Sequence, residues 1–292
     1  MRAACISDSE ITSFEDSAQR GCARDDSAGE DCAFGLYPLR FGFIARRALY
    51  FPPGQTANLL RGRIGKALMD SSPGDYEPLF APSAANGPSG LRDLPRPFVL
   101  RVAHLDGARF HPGERFEIGL NLFTAREPAI ALLSRALCSA EDAELTDLDG
   151  DEQLRLSLAP YDRAVRQVRV RFLSPTELKG GAQPLFGVLF ARIRDRVSTL
   201  RALYGGGPLP IDFRNIGERA KRVRMTRCDL EYVDAARVSR STGQRHSLGG
   251  FIGVAEYEGE LEEFAPYLEA ARFTGVGRQT VWGKGEIAWE EI

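Results

Sequence analysis

The pattern that most constrains this chain is an apolar rhythm in the order strand, helix, strand, strand, helix, strand, which then runs a second time. In the first half, "AFGLYPLRFGFIARRALYF" places Leu36, Leu39, Phe41, Phe43 and Ile44 as a strong strand beginning at Phe34 and closed by Pro52-Pro53-Gly54. "TANLLRGRIGKALMD" then spaces Leu59, Leu60, Ile64, Ala67 and Leu68 at helical intervals, with Thr56 as the predicted N-cap. Gly62 and Gly65 each cost such a helix about 1 kcal/mol relative to alanine, which points to close packing or backbone approach at both. Ser71 to Pro95 reads as a loop interrupted by Tyr76–Phe80. "RPFVLRVAHL" and "ERFEIGLNLF" read as strands around the turn His111-Pro-Gly-Glu114. Pro128 to Ala140 reads as a helix with proline in its first turn, and "QLRLSLA" as the next strand.

The second half repeats the order. "QVRVRFLSPTELK" is a strand, and Leu185 to Leu203 is a long amphipathic helix with Arg192, Arg194, Arg196 and Arg201 mostly off its apolar stripe. A shorter helix is expected over Asn215–Val223. "MTRCDLEYVDAARVS" and "LGGFIGVAEYEG" read as paired strands, "LEEFAPYLEAARF" as a helix and "GEIAWEEI" as the closing strand. A duplicated split-βαβ order predicts an α+β protein of two tandem ferredoxin-like domains with antiparallel sheets, residues 34–160 and 161–292. The halves share no residue-level repeat, so the duplication rests on element order. A length of 292 residues suits two domains.

Residues 1–33 stand apart. They hold eight acids against three arginines and no apolar periodicity, and read as a disordered acidic extension. That leaves the remainder at 35 minus 32, or +3, although the whole chain is formally -2. Between Tyr161 and Arg227, fifteen Arg or Lys face five acids, a local +10 that reads as a basic belt. The five cysteines are scattered without C-x-x-C pairs, and there are only three histidines, so neither a disulfide framework nor a metal site is expected. Free cysteines, no apolar run near the length of a membrane span and no signal pattern together predict a cytoplasmic protein without a membrane partner. No cofactor is expected.

Near the C-terminus, Gly275-Val-Gly-Arg-Gln-Thr-Val-Trp-Gly-Lys-Gly285 sets four glycines around Arg278, Gln279, Thr280, Trp282 and Lys284. Two nucleotide motifs fail on it. The P-loop pattern needs glycine at Arg278 and Ser or Thr at Gly285; G-x-G-x-x-G meets Thr280 at its third glycine, with no helix following. What remains is an anion-binding loop with two cations and an indole, suited to a polyanion with bases. A tight hairpin between the last helix and the last strand is the alternative.

"LLRGRIGKAL", "PRPFVLR", "PGERFEIGLNLF", "RFLSPTELK", "HSLGGFIGVAEYEG" and "FTGVGRQTVWGKGEI", in this order, resemble one family. It is the CRISPR-associated endoribonuclease that processes precursor CRISPR RNA, the sixth numbered Cas family of the RAMP superfamily, in its branch with a well-marked C-terminal domain. The resemblance implies tandem RRM-like folds, CRISPR repeat RNA as partner alongside other Cas effector subunits, and one metal-independent cut. It also implies that the loop of Gly275, Gly277 and Gly283 lies by the RNA, with Arg278, Gln279, Thr280 and Lys284 as its polar contacts. Arg61 and Arg63 on the first helix, and Arg240, are further contacts by pattern; surface arginines without a ligand are the alternative for the first two.

Metal-free cleavage of this kind uses the ribose 2′-OH as nucleophile on the adjacent phosphate, leaving a 2′,3′-cyclic phosphate. It needs a base, a donor to the leaving oxygen and cations around the phosphate. Many relatives place a histidine near the first strand or helix, whereas here none precedes His104. His104, near a strand end, and His111, in the Pro-Gly turn, read as structural. His246 follows Arg240, Ser241 and Arg245 on a polar stretch and is the candidate base. A histidine-free site would instead use Arg46 or Arg47 with Tyr37 or Tyr50 to orient the RNA and stabilise charge. The third reading is a non-catalytic RAMP-type crRNA-binding subunit.

Overall fold

Strand β1 (Ala33–Ala45) shows how the chain is put together. Its inward residues are Phe34 and Leu36, and then Leu39, Phe41, Phe43 and Ala45, so the alternation slips by one at Tyr37-Pro38. A slip of one residue exchanges the faces of a strand, and β1 accordingly feeds two cores. Phe34 and Leu36 pack with the C-terminal half, and Leu39 to Ala45 with the N-terminal half. Pro38 falls in the gap where one neighbouring strand, β7 (Leu154–Ser157), ends its pairing and another, β6 (Ala143–Asp149), has not begun. No ladder partner on that side asks for the amide hydrogen that proline lacks. This computed structural model describes residues 32–82, 94–123, 133, 136, 142–150, 152–179, 183–234, 236–238, 245–247 and 249–292.

After β1 come β2 (Leu49–Tyr50), α1 (Thr56–Ser71), α2 (Pro73–Phe80), β3 (Phe98–Arg101), β4 (Arg109–Phe110), β5 (Arg115–Leu122), β6 and β7. The main sheet runs β3-β5-β1-β6, with every pair antiparallel. The C-terminal half holds β8 (Gln167–Thr176), α3 (Phe186–Tyr204), α4 (Phe213–Ala220), β9 (Arg224–Val233), β10 (Ala236–Val238), β11 (Arg245–Ser247), β12 (Gly250–Glu258), α5 (Ala265–Thr274) and β13 (Ile287–Glu291). Its sheet runs β13-β8-β12-β9, also antiparallel. Numbered within each half, both sheets have the order 4-1-3-2. The α+β fold is therefore two tandem ferredoxin-like units with antiparallel sheets, as the element order predicts.

Several local expectations change. Order begins at Ala33 rather than Phe34, because Ala33 pairs with Ser157; the rest of the acidic stretch, residues 1–31, lies outside the described residues. Thr56 is not the N-cap. It is the first residue of α1, only 1% exposed, and its backbone N–H donates to Asp106 Oδ1 at 3.3 Å, so a distant carboxylate does the capping. Gly65 packs on the Phe80 ring as the glycine pattern predicts, whereas Gly62 faces open space. The loop expected over 71–95 begins with helix α2, and 83–93 lie outside the described residues. Strand β3 ends at Arg101, which leaves His104 in a 3-10 turn, Ala103–Leu105.

The expected helix 128–140 lies outside the described residues apart from buried Leu133 and Ala136. The fourth strand of the first sheet is the acidic β6; "QLRLSLA" supplies β7, an extra strand on the early part of β1. Among the arginines of α3, Arg201 is buried and bonds Gly206 O, while Arg194 Nη1 bonds Phe213 O and Arg196 Nε bonds Thr274 O. They fasten neighbouring segments instead of facing solvent.

Candidate functional site

The stretch 275–285 bridges the two halves. Gly275, at φ +67°, ends α5 with its N–H on Ala271 O, and Val276 sinks into the C-terminal core. Thr280–Trp282 forms a 3-10 turn against α1 and β3, with Val281 in the N-terminal core. The glycines are required by this packing. A Cβ on Gly285 would lie 1.8 Å from Val276 O, and one on Gly283 would lie 2.2 Å from the Cβ of Ala57 on α1. Both positions have positive φ, at +71° and +77°, which compounds the demand for glycine.

The backbone N–H groups are largely turned inward as well. Val276 N bonds Gly285 O, Arg278 N bonds Glu177 O, Gly283 N bonds Thr280 O and Gly285 N bonds Pro175 O. The hairpin reading thus accounts for the glycines themselves, and any anion contact falls to the side chains.

Those side chains divide sharply. Arg278 is exposed at 67%, and its Nη1 donates to Glu177 Oε1 at 3.0 Å. Lys284 is 3% exposed, and its Nζ donates to Gly249 O at 2.7 Å, Gln279 Oε1 at 3.1 Å and Glu177 Oε2 at 3.2 Å. Three donors meet three acceptors, so the ammonium is fully engaged within the protein. Burial pulls Lys284 below the ordinary amine range even though Glu177 opposes the shift. Burial alone would raise Glu177, but the bonds from Arg278 and Lys284 hold it below the usual carboxylate range. Both groups move down: the pairing holds half-exposed Glu177 charged, whereas for enclosed Lys284 the cost of burial outweighs its partner. Gln279 sits at φ +61°, the one non-glycine residue with positive φ among the described residues, and Lys284 holds its amide oxygen. Thr280 is buried.

Helix α1 carries two separate groups of candidates. On the loop side, the Arg61 guanidinium carbon lies 5.9 Å from the Trp282 ring centre and 5.4 Å from that of Phe80. Two positions on, and so on the other side of the helix, Arg63 joins Arg47 and Tyr50 around a cavity of about 660 Å3 walled by Phe43, Phe51 and Phe116. Arg47 and Arg63 both pair with Asp142, and Arg46 pairs with Glu144 at 3.2 Å. Tyr50 is 48% exposed, with the Arg109 guanidinium over its ring at 4.3 Å. Tyr37 packs at the edge of the N-terminal core. The structure thus gathers Arg47, Tyr50 and Arg63, and separates them from Arg61 and the glycine loop.

His246 lies in β11, opposite Arg237 of β10. Three residues later, Gly249 accepts the bond from Lys284, and three residues span at most about 10 Å of chain. The chain is therefore held to the glycine loop three residues after His246, directly before β12. Arg240 lies outside the described residues. His104 Nε2 is 3.1 Å from Glu117 O, and the backbone N–H of His111 bonds Glu114 Oε2 within its turn.

The basic belt is largely neutralised by acids from outside it. On the open face of the C-terminal sheet, Arg169 pairs with Glu256 and Glu290, Arg171 with Glu290, and Arg227 with Asp229 and Glu256. Further along, Arg224 pairs with Glu258, Arg219 with Glu263 and Arg163 with Glu291. Counting charge along one segment missed carboxylates that strand pairing brings across. This sheet face is a charge ladder, not an aromatic stacking platform of the RRM type.

Two residues carry no site role in the sequence pattern. Glu177 sits in "SPTELK", one of few acids in a basic stretch, and that rarity was the available signal. Arg196 lines a cavity of about 310 Å3 between the halves with Phe98, Gln279 and Trp282, and burial pulls its pKa down to about 10. Among the described residues no cluster of His, Cys, Asp and Glu could hold a metal ion, and no helix is long and apolar enough to cross a membrane.

Comparison with known proteins follows the same division of the chain. A family model described as CRISPR-associated endoribonuclease Cas6 matches residues 170–287, and an N-terminal-domain model matches residues 34–165. Among solved structures, Thermus thermophilus Cas6 is 16% identical with a TM-score of 0.56, covering 88% of this chain and 99% of that one. A Cas6 product complex is 17% identical with a TM-score of 0.55, covering 87% and 100%. The partial Cas6-RT-Cas1–Cas2 complex contains a chain 11% identical with a TM-score of 0.58, covering 88% of this chain and 46% of that one. At these identities the structural likeness speaks for the fold. No curated protein sequence matches.

Proposed function

We propose that this chain, whose residues 170–287 match the CRISPR-associated endoribonuclease Cas6 family, binds the CRISPR repeat of precursor crRNA and cuts it without a metal ion. The observation that carries this reading is the family match over residues 170–287, which contains the whole glycine loop. Residues 34–160 and 161–292 act as the two RNA-facing domains, and other Cas subunits are its protein partners, a reading supported by the similar chain in the Cas6-RT-Cas1–Cas2 complex.

Arg278 is the loop's exposed cation, and Arg61 with Trp282 offers a planar cation beside an indole, suited to a phosphate and an unstacked base. Arg63 and Arg240 extend the contact. Gly275, Gly277, Gly283, Gln279, Thr280 and Lys284 serve by fixing the loop's shape.

In the reaction the 2′-oxygen forms a bond to phosphorus, the bond from phosphorus to the 5′-oxygen breaks, and the products are a 2′,3′-cyclic phosphate and a 5′-OH. His246 takes the 2′-OH proton, a role supported by its place three residues before the carbonyl that Lys284 holds, and solvent water gives the leaving 5′-oxygen its proton. In the alternative without histidine, Arg46 with Tyr50 holds the phosphate in line, and positioning supplies most of the acceleration. Cognate repeat RNA incubated in EDTA is expected to yield a cyclic-phosphate product. An intact repeat at saturating protein would reject cleavage and leave the crRNA-binding subunit, a reading favoured by the absence of any histidine before His104. His246→Ala is expected to slow single-turnover cleavage by about 100-fold or more while repeat affinity stays within about threefold. Equal loss of rate and affinity would remove His246 as the base.

A further inference from the structure

Glu177 follows β8 directly and reaches the glycine loop through three of its atoms. Oε1 accepts from Arg278 and Oε2 from Lys284, while its backbone oxygen accepts the Arg278 N–H at 3.1 Å. The same backbone oxygen would lie 2.5 Å from a Cβ on Gly277. The carboxylate thus holds the loop's exposed cation and its buried cation together. Lys284, so held, fixes Gln279 in its left-handed conformation and ties Gly249, three residues after His246, to the loop.

The guanidinium of Arg278 gives Glu177 a single hydrogen bond from Nη1 and is otherwise open to solvent. It is aimed but not used up, since a guanidinium carries five N–H donors. An unpaired arginine on a glycine-rich loop would sample many rotamers and lose that freedom on binding a phosphate.

From this geometry we infer that Glu177 is a positioning residue of the RNA site, a carboxylate clamp that pre-sets Arg278 and registers the His246 hairpin against the loop through Lys284. The inference rests on the proposed RNA cleavage for its functional arm and on loop geometry for its structural arm. Glu177 touches no RNA in this scheme. Its negative charge works slightly against RNA affinity and in favour of a defined geometry. Removal of the charge therefore separates rate from affinity, which a residue that only held the fold together would not do.

The experiment uses the full chain and the variants Glu177→Gln, Glu177→Asp, Arg278→Ala and Glu177→Gln/Arg278→Ala. With saturating protein, Glu177→Gln is expected to cleave repeat RNA about 10- to 100-fold more slowly, with affinity equal to wild type or up to about threefold tighter. Glu177→Asp recovers part of the rate. In the Arg278→Ala background the Gln substitution is expected to cost less than it does in wild type, since the part of its effect that passes through Arg278 is already lost. Multiplicative effects, or rate and affinity falling together with the folded fraction, would overturn the clamp. Limited trypsin digestion well below the melting temperature reads the loop without RNA: Glu177→Gln is expected to be cut after Arg278 about tenfold faster than wild type, and equal rates would reject the clamp. Should wild type neither bind nor cut repeat RNA, the functional reading fails, and digestion alone judges the clamp.

Discussion

Replacing Gly285 with alanine is expected to lower stability by about 3 kcal/mol or more, the largest effect of any single methyl group added to this loop. The new Cβ would sit 1.8 Å from Val276 O and 2.8 Å from Val276 C, and both are backbone atoms tied to Gly285 by the Val276 N–H bond to its carbonyl. They move only if the loop opens. The left-handed φ of +71° adds a penalty of about 1–2 kcal/mol for a residue with a side chain, and overpacking typically adds about 1–3 kcal/mol. For a chain of this size such a loss shifts the melting temperature by roughly 6–12 °C. Gly62→Ala is the matched control. Gly62 lies on the exposed face of α1 with nothing within 4 Å of the new methyl, so the change is expected to be neutral or to stabilise by up to about 1 kcal/mol. Thermal melts of the two variants test the assignment, and equal melting temperatures would refute it.

That contrast marks what was legible in the sequence. The glycines were visible as a cluster, but spacing cannot say whether a missing Cβ makes room for a phosphate or for the chain's own carbonyl; the distances at Gly277 and Gly285 decide for the carbonyl. Strands with one apolar face and one polar face could be read directly, as in β8, where Val168, Val170 and Phe172 alternate with Arg169 and Arg171. β6 could not, since most of it is exposed and acidic, and its place in the sheet comes from pairing with β1. The helix cap supplied by Asp106, fifty residues from Thr56, has no local signature. The arginines of α3 misled for a related reason. A long side chain off the apolar stripe can still be enclosed by a neighbouring segment, as Arg196 is by the carbonyl of Thr274. The net charge of a segment overstated its basic surface, because most of the acids that quench it arrive on β12 and β13, with Asp229 on β9 and Glu263 ahead of α5.

For the candidate site, linear patterns mark segments and not roles. The glycine loop and the first helix, on which it packs, both carry local patterns. The division of labour between Arg278 and Lys284 depends on depth, which no linear spacing reports. Glu177, one carboxylate in a basic run, has the signature of a surface acid until the loop folds over it.

Lys284→Ala and Arg278→Ala are expected to fail in opposite ways. Removing Lys284 strips a buried carbonyl (Gly249), the Gln279 amide and one oxygen of Glu177 of their shared donor, a loss on the order of 3 kcal/mol. It also frees Gln279 from its left-handed turn. Lys284→Met keeps most of the volume and lacks the charge, and should fall between alanine and wild type. Because Lys284 is enclosed, neither substitution is expected to change the number of phosphates neutralised, so the salt dependence of repeat binding by the folded protein keeps its slope. Arg278→Ala removes an exposed cation at little cost in stability, since exposed pairs contribute about 0–1 kcal/mol, and is expected to lower that slope by about one. Acid should mimic the Lys284 defect. Glu177 is held below its ordinary value of 4.5, so its contribution is present above that value and is lost as pH falls through the lower folded one. The loop therefore loosens below about pH 4.5 in wild type, and this acid transition is expected to be absent from Glu177→Gln. A lower salt slope in Lys284→Ala at full stability would return the lysine to the RNA surface and overturn its role as the buried tie between loop, hairpin and β8.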